Sequence, residues 1–247
     1  MSEKVRMTAQ EIYDALLYRD KIKSAKGQIT FKLCDIKVIV TSKDIVGGAI
    51  ENWLNEWLKT NNVDFEFNAL TQSKPDLFLN TNDKKKDLLE VKAFNRNAGP
   101  AFDLADFFGF ADEIIHKPYL LDLDCLVFGY NMNEETGDIT VTDLWLKKIW
   151  QLAATSGEWP LKVQGTKDKT IIKKVRPGTW YSNRSTYKCF ESMLDFLSAY
   201  EQTLFDYQAT RSRASNWKFQ LKQSYKNYYK EDLIIPRWDD IKEKYGG

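Results

Sequence analysis

A single histidine, His116, is present among 247 residues. Ser-His-Asp hydrolysis, His-dependent nuclease chemistry and His-rich metal sites therefore lack the residue they need. His116 precedes Lys117-Pro118 at an expected helix end, where a capping or surface role suits it. Cysteine is scarce too: Cys34, Cys125 and Cys189 stand far apart in no Cys-x-x-Cys spacing. That excludes a disulfide framework and a zinc ribbon, and predicts reduced, packed thiols in a cytoplasmic protein. No apolar run approaches the roughly eighteen residues of a membrane span. The N-terminus shows no charged-then-apolar leader, so neither a membrane nor a secreted role is expected. Gly-rich phosphate loops of the Walker or dinucleotide type are missing, which excludes nucleotide-driven chemistry. An excess of charge of one sign is missing as well, with 36 Lys and Arg against 35 Asp and Glu. A protein that coats DNA non-specifically is usually strongly basic, whereas an enzyme can balance a basic cleft with an acidic outer face.

What is present suffices for one sizeable core, with 43% apolar and 29% charged residues. Residues 8–24 have helical spacing, with Thr8 as N-cap and Glu11 completing a capping box. Residues 29–40 are extended and β-branched. Residues 43–60 form a second helix, its apolar stripe running through Val46, Ala49, Ile50, Trp53, Leu54 and Trp57. Short strands are expected at 63–67, 73–79, 88–94, 125–130 and 139–145. An amphipathic helix is entered at Asp103-Leu104-Ala105-Asp106 and stops before Pro118. Residues 171–181 begin as a strand and end in a turn, and 187–210 form a further helix. This order predicts an α/β fold with a central mixed β-sheet flanked by helices and a helical C-terminal extension. No linker or composition shift marks a boundary. The expectation is one domain, 1–247, with its catalytic core at about 43–130 and its recognition and dimerisation elements within 131–247.

The chemistry concentrates in Lys74-Pro75-Asp76-Leu77-Phe78-Leu79 and Leu88-Leu89-Glu90-Val91-Lys92-Ala93-Phe94. Two short apolar strands flank a polar turn containing Lys84-Lys85-Lys86, a run that fits a solvated hairpin tip. Strand alternation points Glu90 and Lys92 the same way and sends Val91 to the core. If the strands pair, Asp76 reaches that same face, and two carboxylates converge with an ammonium. The same residues also describe an ordinary surface hairpin with a cross-strand Glu and Lys, worth about 0.2–1 kcal/mol.

Pro75-Asp76 with Glu90-Val91-Lys92 resembles the PD-(D/E)xK nuclease signature, and the whole chain resembles a type II restriction endonuclease, best over 43–130. Ala9-Gln10-Glu11-Ile12-Tyr13 and Asp44-Ile45-Val46-Gly47-Gly48 are similar to the NgoBV/NlaIV-like subgroup, which implies a palindrome of GG and CC half-sites. The resemblance implies a restriction-endonuclease-like core and Mg²⁺ held by Asp76, Glu90 and the Val91 carbonyl. Hard oxygen donors of this kind suit Mg²⁺, which keeps several waters. It implies that Lys92 orients the attacking water, as a cation or as a base. A further carboxylate is expected from the preceding helix. Glu51 is preferred over Glu56 because it follows Gly47-Gly48, a small-residue turn that lets the backbone approach a substrate. Double-stranded DNA, a homodimer matching the palindrome and a cognate DNA methyltransferase are the implied partners.

Base readout favours Arg or Lys against guanine and Asn or Gln against adenine. Residues 176–184 offer Arg176, Asn183 and Arg184 beside two aromatics, and form the preferred recognition loop. Asn95, Arg96 and Asn97 follow the catalytic strand and are available for phosphate or base edges. Lys218, Lys222, Lys226 and Lys230 recur every four residues along one helical face, with Lys218 and Lys222 as expected phosphate contacts. Two other functions remain open at this point: a structure-selective repair or recombination nuclease of the same fold, and a non-enzymatic DNA-binding protein.

Overall fold

Residues 4–70, 73–166 and 171–246 are described by the computed structural model. In chain order the elements are α1 (Ala9–Asp14), β1 (Lys26–Gln28), β2 (Thr30–Leu33), β3 (Ile36–Ile39), α2 (Val46–Thr60), β4 (Glu66–Phe67), β5 (Leu77–Phe78) and β6 (Leu88–Asn95). There follow β7 (Ala105–Asp106), α3 (Phe107–His116), β8 (Asp124–Met132), β9 (Asp138–Lys148), α4 (Ile149–Leu152), β10 (Val163–Gly165) and β11 (Ile172–Val175). The chain closes with α5 (Met193–Asp206), α6 (Arg211–Tyr229) and α7 (Trp238–Ile241). Two compact units share it: Met1–Ala101 with Leu123–Lys147, and Phe102–Asp122 with Lys148–Gly247. The expected catalytic core, 43–130, is divided between them, with 102–122 in the second.

The first unit is built on a six-stranded sheet in the order β1-β9-β8-β6-β5-β4. Strands β6 and β8 run parallel, setting Glu90 opposite Cys125, while β5 pairs antiparallel with β6 and β4 with β5. The sheet is therefore mixed, as the element order predicts. Leu77 and Leu89, paired in register, both enter a core that also takes Val91, Leu126 and Phe128. Leu54 and Leu58 of α2 are fully buried in the same core. Helical spacing aligns them on one face, and each such burial contributes about 1.5–3 kcal/mol.

The capping box is present at α1: Thr8 accepts from the Glu11 amide and its own amide donates to the Glu11 carboxylate. The helix expected over 8–24 is shorter, because the chain widens to a π turn over Ala15–Arg19 and then leaves helical space. Lys21 and Ser24 have φ of 52° and 77°, in the left-handed region that breaks a helix. Asp20 pins this exit, its Oδ2 accepting from Trp57 Nε1 at 2.7 Å. The extended stretch 29–40 is a two-stranded ribbon of β2 and β3 turning at Cys34, whose φ is 52°.

The second unit carries a small antiparallel sheet, β10-β11-β7, and helices α3, α5 and α6. Its centre is aromatic. Tyr200 stacks between Phe107 and Trp217, with ring centroids 5.1 and 5.7 Å away, and Trp217 Nε1 donates to the Ala111 carbonyl at 2.9 Å. Ala105 and Asp106, expected in a helix, form β7 against β11 instead, and Asp106 caps α3 through the Gly109 amide. The helix expected from residue 187 begins only at Met193. Cys189 bridges to Ala154, and Ser192 supplies the cap by accepting from Asp195. Together α5, α6 and α7 are the expected helical C-terminal extension.

Candidate active site

Asp76 stands one residue before β5, and its Oδ2 accepts the Val91 amide proton at 2.8 Å. Because Leu77 and Leu89 turn to the core, strand alternation directs Glu90 and Lys92 away from it. The two halves of the motif thus meet, Asp76 just ahead of β5 and Glu90 and Lys92 on the neighbouring β6. Glu90 is 4% exposed. Its Oε1 receives Lys92 Nζ at 2.8 Å and Lys74 Nζ at 2.5 Å. Its Oε2 is buried with no hydrogen-bond partner.

An unpartnered buried carboxylate oxygen costs about 1–3 kcal/mol or more unless a cation or donor meets it. Burial pushes the Glu90 carboxyl up, but the ammonium groups of Lys74 and Lys92 outweigh it and hold the group below its ordinary value. Burial likewise pushes Lys92 down, and Glu90 with Asp76 reverses this, leaving it above the usual lysine range. Lys92 is accordingly a cation here, one of the two forms expected of it. Asp76 is raised, first by burial and then by the negative charge of Glu90. Cys125, beside Glu90 on β8, is a fully buried thiol pushed up to about 12 by its burial, and is inert.

The helix carboxylate near this group is Glu51. Its carboxyl is raised by burial and then by Asp76, with Lys92 opposing and Glu90 adding to the effect. Glu56 instead turns to solvent and pairs with Lys59 at 2.6 Å. Gly47 and Gly48 are part of the first turn of α2, so they do not form the small-residue turn expected of them. A Cβ at either would meet nothing within 4 Å, so both glycines border open space.

Among the described residues no group of three or more His, Cys, Asp or Glu side chains is gathered tightly enough to hold an ion alone. Mg²⁺ does not ask for such a cage, since it binds through one or two carboxylates and retains waters. The donor set fits it: hard carboxylate oxygens from Asp76 and Glu90, one of them buried without a partner, beside the raised carboxyl of Glu51.

Lys74 is the member that sequence reasoning missed. Its neighbour Pro75 was part of the motif, but a contact spanning sixteen residues leaves no local pattern. The lysines of the turn are paired rather than free, Lys84 with Glu66 and Lys86 with Asp83.

Arg96, just past the end of the catalytic strand, is braced. Its Nε donates to Asp143 Oδ2 at 2.8 Å, and its guanidinium lies over Trp145 and Phe94 at 5.4 and 5.8 Å from the ring centroids. Gly129 on the adjoining β8 makes this possible, because a Cβ there would come within 2.9 Å of both Arg96 Cδ and Trp145. Asn95 accepts the Asn97 amide through its side chain, and Asn97 is exposed.

In the second unit, Asn183 and Arg184 are exposed in the loop following β11. Arg176 is tied to Asp103 by an ion pair and by its backbone to Lys162, so it anchors the loop instead of projecting from it. Lys218 is turned onto Glu201 at 2.6 Å and Lys226 onto Asp232 at 2.8 Å. Lys230 lies past the end of α6 as its left-handed cap. The expected lysine stripe is therefore interrupted by carboxylates, with Lys222 half-buried in its middle.

No helix among the described residues is long and apolar enough to cross a membrane. The model of the NgoBV restriction endonuclease family matches residues 6–245. The type II restriction enzyme NlaIV of Neisseria lactamica is 48% identical over 242 residues, 98% of each chain. The type II restriction enzyme NgoBV of Neisseria gonorrhoeae is 45% identical over 174 residues, 70% of this chain and 97% of that one. A solved structure of the NlaIV restriction endonuclease superposes with a TM-score of 0.94 at 48% identity, covering 99% of both chains.

Proposed function

The chain belongs to the NgoBV restriction endonuclease family and is a type II restriction enzyme, and we propose that it hydrolyses double-stranded DNA at a short palindrome using Mg²⁺. The observation that carries the metal assignment is the buried, unpartnered Oε2 of Glu90 beside Asp76. Asp76, Glu90 and the Val91 carbonyl would hold the ion, which when bound supplies charge neutralisation at the phosphate and a more acidic water.

The chain's own residues do the rest. Lys92, kept protonated by Glu90 and Asp76, places a positive charge where negative charge grows on the phosphate oxygens as the water oxygen bonds to phosphorus. The ester bond from phosphorus to the leaving sugar oxygen breaks, and that oxygen takes up a proton from solvent. Glu51, whose carboxyl on α2 is raised by burial and by Asp76, orients the water or accepts its proton. Arg96 clamps a phosphate beside the scissile one from its fixed perch on Trp145, with Asn95 and Asn97 adjoining it. Asn183 and Arg184 read base edges, with Arg176 holding the loop that carries them, and Lys222 contacts a phosphate while Lys218 beside it is held by Glu201. A two-fold homodimer matches the symmetry of a palindrome and brings one site to each strand. A methyltransferase modifying the same sequence is the partner that keeps resident DNA uncut.

The test is a plasmid digest with and without Mg²⁺, followed by sequencing of the fragment ends. Discrete fragments sharing one palindromic junction are expected. Smears, branched-junction cleavage, or undiminished cutting in excess chelator would refute the reading.

A further inference from the structure

Asn183 and Arg184 sit exposed at the tip of a loop whose own bonds are short-range. The Ser182 amide donates to the Thr179 carbonyl at 3.0 Å, the Arg184 amide to Ser182 Oγ at 3.3 Å, and Ser185 Oγ to the Tyr187 carbonyl at 2.7 Å. Bonds of this span shape the tip but do not place it, so its position follows from its two ends. Both ends close on the stretch 152–155, with bridges from Ala153 to Pro177 and from Ala154 to Cys189.

The outgoing end is held tightly. The Arg176 amide donates to the Lys162 carbonyl at 2.9 Å, Lys162 Nζ to the Pro177 carbonyl at 2.9 Å, and the Gly178 amide to the Leu152 carbonyl at 2.8 Å. Gly178 is pressed so closely that a Cβ there would lie 2.5 Å from both Ala154 Cβ and Cys189 Sγ. The same stretch holds the returning end at longer range. There the Thr155 amide donates to the Lys188 carbonyl at 3.3 Å and the Phe190 amide to the Ala153 carbonyl at 3.2 Å. Amide hydrogen bonds are best at about 2.9–3.0 Å, so the returning end needs a second grip.

Tyr245, itself fully buried, supplies that grip. Its carbonyl accepts Thr155 Oγ1 at 2.9 Å, and the Lys188 amide approaches the same oxygen at 3.5 Å. Its hydroxyl accepts the Glu191 amide at 3.2 Å and donates to the Asp195 carboxylate at the start of α5. Its ring centroid lies 5.1 Å from that of Phe190. Gly246 follows with φ of 81° and rests on the Thr186 carbonyl, where a Cβ would come within 2.6 Å. Residues 245 and 246 thus meet the chain at 186, 188, 190 and 191, beginning two residues beyond Arg184. We propose that Tyr245 is a positioning residue for sequence discrimination, fixing the returning end of the loop so that Asn183 and Arg184 meet base edges. The proposal rests on the reading of that loop as the base reader. Displacement of the tip costs discrimination first, because base-edge hydrogen bonds weaken steeply with angle whereas phosphate contacts carry no sequence information.

The experiment uses the full chain and compares cleavage of a duplex carrying the palindrome found in the plasmid digest with duplexes changed at one base pair. Tyr245→Phe and Thr155→Val each remove one hydroxyl of the grip and keep the packing. Each should lower discrimination about tenfold at one base position. Affinity for a scrambled duplex in Ca²⁺ should stay within about twofold of wild type. Both variants are then repeated on Asn183→Ala/Arg184→Ala, where their effect on discrimination should vanish because nothing remains to be positioned. A loss in either variant that vanishes there supports the proposal. Wild-type discrimination in both variants, or an equal loss with and without the two reading side chains, overturns it. If Asn183→Ala/Arg184→Ala itself discriminates like wild type, the loop is not the reader, and that reading falls together with the proposal.

Discussion

Lys74 Nζ lies 2.5 Å from Glu90 Oε1, on the oxygen that Lys92 also holds at 2.8 Å. Glu90 thereby carries two cations on one oxygen and none on the other. Lys74 adds positive charge close to the place where Mg²⁺ is proposed to bind, and like charges repel. Lys74→Met is expected to lower the Mg²⁺ needed for half-maximal cleavage severalfold. A Mg²⁺ titration of the cleavage rate checks this, and a higher requirement would show that Lys74 assists the metal.

Loss of either proposed ligand should remove catalysis without removing DNA binding. Asp76→Asn or Glu90→Gln is expected to slow cleavage about 10³-fold or more. These amides keep the shape and retain an acceptor for Val91 or Lys92. Binding to cognate duplex in Ca²⁺, measured by gel shift, should stay within a few-fold of wild type. Cleavage by either variant at the wild-type rate refutes the assignment.

The opposite displacements of Asp76 and Glu90 give stability a signed pH dependence in the presence of chelator. Asp76 is raised above its ordinary 3.8 by burial and by Glu90, so its ionisation penalises the folded state as pH rises through its folded pKa. Glu90 is depressed below 4.5 despite burial, because of Lys74 and Lys92, so its contribution is present above 4.5 and is lost as pH falls through its folded pKa. Asp76→Asn should therefore melt about 2–4 °C above wild type at neutral pH. The gap should close on acidification through the raised Asp76 pKa, and Mg²⁺ should raise the melting point of wild type alone. Equal melting curves at neutral pH would contradict the burial of an ionised Asp76.

Recognition and affinity should separate by residue. Arg184→Ala is expected to lose about 1–3 kcal/mol of discrimination at one base position in each half-site. Lys222→Ala should weaken binding to cognate and scrambled duplexes alike and shallow the salt dependence. Arg176→Ala removes the ion pair with Asp103, so its effect should appear in stability as well as in specificity. Affinities for both duplexes at two salt concentrations distinguish these outcomes.

Gly129→Ala places a methyl group where Arg96 Cδ and Trp145 come within 2.9 Å. Overpacking of this kind costs about 1–3 kcal/mol. Denaturant unfolding of the variant should show that loss, and its cleavage should fall further than its stability, because Arg96 is displaced.

Asp76, Glu90 and Lys92 were legible in the sequence because strand alternation is local and the motif lies within two adjoining strands. The capping box at Thr8 and Glu11 was legible for the same reason. Lys74 was not, since its partner lies sixteen residues away across a loop. Nor was the pairing of Arg176 with Asp103, seventy-three residues distant, which changed an expected base reader into an anchor. The helix over 8–24 looked longer than it is because spacing does not reveal left-handed residues such as Lys21. Extended character at 29–40 was plain, but alternation alone could not say that both faces of the ribbon would remain exposed.

In helix α2, Glu51 stands three and seven residues before Leu54 and Leu58, on the stripe that drives both leucines into the core. The azimuth of the carboxylate proposed to act on the water is therefore set by how two leucines seat against the sheet. Interior substitutions that leave every polar group intact, such as Leu58→Ala, become rotations of the chemistry, and random mutagenesis for altered turnover should find them as readily as changes in the site itself.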